Sequence, residues 1–87
     1  MSGARVLLVD DEAVAREGLA TALRRDGFDV TTADNGDSAL ALLRTRDFEV
    51  MLTDVRMPGM DGLAFLDALK AKRPDLPVVV MSAYTDI

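Results

Sequence analysis

Three short apolar runs, Val6-Leu7-Leu8-Val9, Val50-Met51-Leu52-Thr53 and Val78-Val79-Val80-Met81, set the strongest limit on what this chain can fold into. Continuous apolar stretches of this length read as strands buried on both faces, the pattern of a parallel sheet. The first strand is taken as Val6 to Val9, the third as Val50 to Thr53, and the fourth as Leu76 to Ser82. Phe28 to Ala33 alternates and is rich in β-branched residues, which adds a shorter second strand.

Helical patterns fill the gaps. Between Glu12 and Asp26, Ala15, Gly18, Leu19, Ala22 and Leu23 form one stripe, with Gly27 placed as a C-terminal cap. Asp34-Asn35-Gly36 is turn chemistry, and Ala39, Leu40 and Leu43 mark a second helix that frays near Arg46-Asp47. Val55 to Met60 is a loop, because Pro58-Gly59 blocks helix continuation. Asp61 caps a third helix with Leu63, Leu66 and Leu69 on one side, and Pro74 follows its end. The order βαβαβαβ implies an α/β fold, a parallel sheet with right-handed crossovers and helices on both faces. Such sheets bind ligands beyond the carboxyl ends of their strands, where the strand order reverses.

Asp10-Asp11 ends the first strand and Asp54 ends the third, both at that carboxyl edge. If those strands are neighbours, three carboxylates converge and repel one another, an arrangement that makes sense around a cation. The chain has no Cys and no His, so the donors are all oxygens, which selects a hard ion; Mg²⁺ fits where phosphate chemistry is present. The competing reading is local: an Asp pair after a strand often serves turn polarity, and Asp11 is placed to cap the first helix. Asp61 is assigned to capping. The loop Val55-Arg56-Met57-Pro58-Gly59-Met60-Asp61-Gly62 is a rigid turn directly beyond Asp54, suited to fixing backbone carbonyls near an ion. Ser82-Ala83 closes the fourth strand at the same edge, offering a hydroxyl and an accessible backbone N–H to an anion.

The remaining composition narrows function by exclusion. With 87 residues, 49% apolar and 29% charged, the chain reads as one small domain over residues 1–87. Its net charge of −5 and scattered basic residues argue against direct nucleic-acid binding. No apolar run reaches membrane-spanning length and the N-terminus lacks a signal-peptide core, so a cytoplasmic location is expected.

Taken together, Asp10-Asp11 after an apolar strand, Asp54 followed by Met57-Pro58-Gly59-Met60-Asp61-Gly62, and Ser82-Ala83 after another apolar strand resemble the receiver domain of two-component response regulators. The likeness runs from Arg5 to Ala83 and implies a flavodoxin-like, doubly wound sheet in the order 2-1-3-4. It implies that Asp54 is the phosphoacceptor, taking a phosphoryl group from a sensor histidine kinase or phosphotransfer protein. It further implies Mg²⁺ bound by Asp11, Asp54 and the backbone carbonyl of Arg56, with Asp10 acting mainly through a water. Ser82 and Ala83 would hold the arriving phosphoryl group, and Arg56 and Tyr84 would tune its lifetime. The resemblance implies a signalling step that switches a C-terminal output domain, not enzymatic turnover. The segment Val79 to Ile87 looks most like receivers attached to sigma-54-dependent transcription activators.

A complete receiver continues with a fourth helix, a fifth strand carrying a phosphoryl-binding Lys, and a fifth helix, so residues 1–87 are expected to be a C-terminally truncated receiver. Lys70 and Lys72 are poor substitutes, because they lie roughly 12–15 Å along the third helix from its start. The fourth strand would then be an open sheet edge, which invites pairing with a second copy. Two alternatives stand beside this reading. Haloacid-dehalogenase-like phosphohydrolases also use a strand-end Asp and Mg²⁺, but usually carry a second acid shortly after it in the same loop; here Arg56 stands two residues past Asp54. A pseudo-receiver would bind partners without phosphorylation.

Overall fold

A computed structural model describes residues 3–54 and 62–81, apart from the side chain of Leu63. Its elements are β1 (Arg5–Val9), α1 (Ala13–Arg25), β2 (Asp29–Ala33), α2 (Gly36–Thr45), β3 (Val50–Asp54), α3 (Gly62–Lys72) and β4 (Val78–Met81). The four strands form one sheet in the order β2-β1-β3-β4, and every pairing is parallel. Parallel pairing is what the apolar runs predict, and the order is the doubly wound one that the resemblance to receiver domains implies.

Alternation along β1 divides the core in two. Leu7 and Val9 join Met51, Ala39, Leu43, Phe65 and Leu69 on the face covered by α2 and α3. Val6 and Leu8 face the other way, where they meet Ala20 and Val30, with Leu19 and Leu23 packed alongside. Burial of each large apolar side chain such as Leu7, Leu8 or Met51 stabilises the fold by about 1.5–3 kcal/mol.

Local chemistry sets the helix ends. Gly27 adopts φ 97°, a left-handed conformation that suits glycine, and its N–H donates to the Arg24 carbonyl at 3.0 Å, closing α1. Asn35 caps α2, its Oδ1 accepting the Ser38 N–H at 2.7 Å.

Four expectations are revised in detail. The inward stripe of α1 is a buried Ala20 with half-buried Arg16, Leu19 and Leu23, while Ala15, Gly18 and Ala22 are exposed. The larger leucines set the rotation of the helix, and the small residues fall on its flank. On α3, Phe65 is buried with Leu69, whereas Leu66 is only half-buried. β4 begins at Val78, not Leu76: the Leu76 N–H turns back to the Arg73 carbonyl at 3.1 Å, and Pro77 has no N–H for the sheet. Phe28 lies just outside β2 and is 37% exposed. Among the described residues no helix is long and apolar enough to cross a membrane.

Candidate functional site

Strand register brings the acids together. β1 and β3 run parallel with Val9 opposite Thr53, so Asp10 and Asp54 stand one step further along neighbouring strands. Asp11 follows immediately, before α1 begins. Carboxylate oxygens of Asp10, Asp11 and Asp54 all lie within 4.8 Å of one another. Asp10 is 9% exposed and Asp54 7%, whereas Asp11 is open to solvent, so the cluster has a buried floor and one wet side.

The alternative of Asp11 as a helix cap does not describe this turn. Glu12 occupies the N-cap of α1 without a side-chain cap, and its N–H donates to Asp10 Oδ1 at 2.9 Å. The Asp10 backbone is held as well: its N–H donates to the Ala33 carbonyl at 3.1 Å, and its carbonyl accepts from Arg16 Nη1 at 3.0 Å. Thr53, fully buried and next to Asp54 in β3, donates its hydroxyl to the Asp54 carbonyl at 3.4 Å. These bonds fix the backbone from which two of the acids project.

Electrostatics then decide what the cluster can hold. At 4.8 Å, Coulomb repulsion between two carboxylates runs from about 1 kcal/mol at the dielectric of water to about 3.5 kcal/mol at a value of 20, and a divalent cation among them offsets it. An oxygen-only donor set suits Mg²⁺, Ca²⁺ or Mn²⁺ and disfavours softer metals.

Sequence reasoning passed over Arg16, which turns out to grip Asp10. Its signal was a charged residue on an apolar stripe, four positions before Ala20. Arg56, Asp61, Ser82, Ala83 and Tyr84 lie outside the described residues. Lys70 and Lys72 sit in the last turn of α3, both exposed. A cavity of about 310 Å³ opens at the opposite end of the sheet, lined by Arg5, Asp29 and Asp47 among others, away from the acids.

With this geometry in view, the residue pattern of the response regulator receiver domain matches residues 6–87. The chain belongs to that family. A curated relative, the DNA-binding transcriptional regulator NtrC of Salmonella typhimurium, is 45% identical to this receiver over 82 residues, 94% of the chain. The receiver spans only 18% of the length of NtrC. Among solved structures, the response regulator TrrA from Thermotoga maritima, in complex with Mg²⁺-BeF, is similar with a TM-score of 0.86 and 33% identity, over 98% of this chain and 72% of that one. TrrA in complex with the histidine kinase ThkA matches this receiver with a TM-score of 0.86 and 32% identity, over 99% of this chain and 72% of that one.

Proposed function

We propose that residues 1–87 form one receiver unit in which Asp54 accepts a phosphoryl group from a phosphohistidine on a partner protein. The observation that carries this reading is the convergence of the Asp10, Asp11 and Asp54 carboxylates within 4.8 Å at the carboxyl edge of a parallel sheet. An Asp54 oxygen attacks phosphorus as the P–N bond of phosphohistidine breaks, and the departing imidazole takes its proton from solvent. An ionised carboxylate has no proton to lose, so the lack of any His as a general base is no obstacle. Asp10, Asp11 and Asp54, with the Arg56 carbonyl, would hold Mg²⁺, which supplies charge neutralisation and in-line alignment when bound. Ser82 and Ala83 would receive phosphoryl oxygens; Asp54 pairs in register with Met81, the residue just before Ser82 in sequence.

The partner reading draws support from TrrA, which is similar in fold to this chain and is seen in complex with the histidine kinase ThkA. Kinship with NtrC, a DNA-binding transcriptional regulator, supports a receiver that switches the output domain of a transcription regulator; we read that regulator as of the sigma-54-dependent kind and acting in the cytoplasm. The domain itself is read as a switch and not a turnover enzyme, because Arg56 stands where a haloacid-dehalogenase-like hydrolase would place its second acid. Incubation with acetyl phosphate and Mg²⁺ tests all three readings. A persistent gain of about 80 Da, one phosphoryl group, supports the receiver. Sustained phosphate release would instead favour a hydrolase, and an unchanged mass a pseudo-receiver.

A further inference from the structure

We infer that Arg16 is a positioning residue for the divalent-cation site, acting through the Asp10 backbone and not through its charge. The inference rests on the proposed function, since it presumes that the acids hold Mg²⁺.

Its guanidinium is largely withdrawn from solvent, with the side chain 17% exposed, and it divides its donors between two partners. Nη1 donates to the Asp10 carbonyl at 3.0 Å, and Nε donates to Glu17 Oε2 at 3.2 Å. Asp10 is thereby gripped at three points, its N–H by Ala33, its carbonyl by Arg16 and its Oδ1 by the Glu12 N–H. The Arg16 bond ties this turn to the side-chain face of α1, one helical turn before Ala20, which anchors α1 in the core. Arg16 also lines an open cleft of about 260 Å³ with Thr32, Ala33, Asp34 and Ser38, so it stands between the turn after β1 and the end of β2. Three carboxylates held within 4.8 Å would spring apart unless their backbones were fixed before the cation arrives.

A cation beside a cation site raises a competing account with the opposite sign. If Arg16 acted only by its charge, it would oppose Mg²⁺, and neutralising it would tighten binding. A positioning role means that neutralising it weakens binding. Titration of the whole protein with MgCl₂ by calorimetry, and with Mn²⁺ by electron paramagnetic resonance, reads this directly. Arg16→Met is expected to weaken Mg²⁺ binding by about 10-fold, the lower range for partners that orient metal ligands, and Arg16→Lys by less. Leu23→Ala, which loosens α1 without touching Asp10, serves as the structural control and should leave the affinity within about 2-fold on the same scale. Tighter or unchanged binding in Arg16→Met overturns the inference, as does equal weakening in Leu23→Ala. Wild-type protein that binds no Mg²⁺ overturns the functional reading beneath it, a different result from wild-type binding that Arg16→Met leaves intact.

Discussion

Replacing Asp54 with Asn should stabilise this protein without metal and remove most of what metal adds. The Asp10–Asp54 pair is nearly buried and the Asp11–Asp54 pair partly wet. At 4.8 Å, Coulomb repulsion per pair runs from about 1 kcal/mol at the dielectric of water to about 3.5 kcal/mol at a value of 20. Asn keeps the shape and removes both repulsions, at the cost of contacts made by the charged oxygen, so a net gain of about 2 kcal/mol is reasonable. In a domain this small that corresponds to a rise in Tm on the order of 10 °C. Mg²⁺ at a hundred times its Kd should stabilise the wild type by about 2.7 kcal/mol and the variant far less, so the gap between the two closes or reverses. Thermal unfolding at low ionic strength, in EDTA and in saturating Mg²⁺, reads all four states. An Asp54→Asn variant that is less stable than wild type in EDTA, or that gains as much from Mg²⁺, would refute the electrostatic reasoning.

Other positions give cleaner readings of the fold. Leu7→Ala opens a cavity beneath α2 and α3, where Leu7 is fully buried, and should lower stability by about 2–5 kcal/mol in urea unfolding. Asn35→Ala removes the Oδ1 cap of α2 and should cost about 1 kcal/mol by the same assay. Gly27→Ala forces a Cβ into the left-handed conformation that ends α1, and a loss of about 1 kcal/mol is expected. Asp11→Asn should weaken Mg²⁺ binding in calorimetric titration while shifting Tm in EDTA less than Asp54→Asn does, because Asp11 is exposed.

The strands were legible because Val6 to Val9 and Val50 to Thr53 show no polar alternation. Helix faces were less so. Ala15, Gly18 and Ala22 looked like part of the α1 stripe because small residues fit an apolar pattern, yet Leu19 and Leu23 hold the sheet and rotate the others outward. Phe65 was overlooked because the leucines around it suggested a different face. For the acids, residue pattern alone could not separate capping from convergence. Register did so, through the Val9–Thr53 pairing that no local stretch encodes. Arg16 stayed hidden for a related reason: a charged side chain is ordinarily read as solvated, and its bond to the Asp10 carbonyl depends on how the turn folds back over α1.

The gathering of acids from two strand ends into a phosphoryl-accepting centre is tested most directly by fragment mass spectrometry after reaction with acetyl phosphate, with and without Mg²⁺. The account expects the added mass, about 80 Da, on Asp54, dependent on Mg²⁺ and lost in Asp54→Asn. Label on Asp10 or Asp11 instead, or labelling of Asp54 that EDTA leaves unchanged, would contradict it.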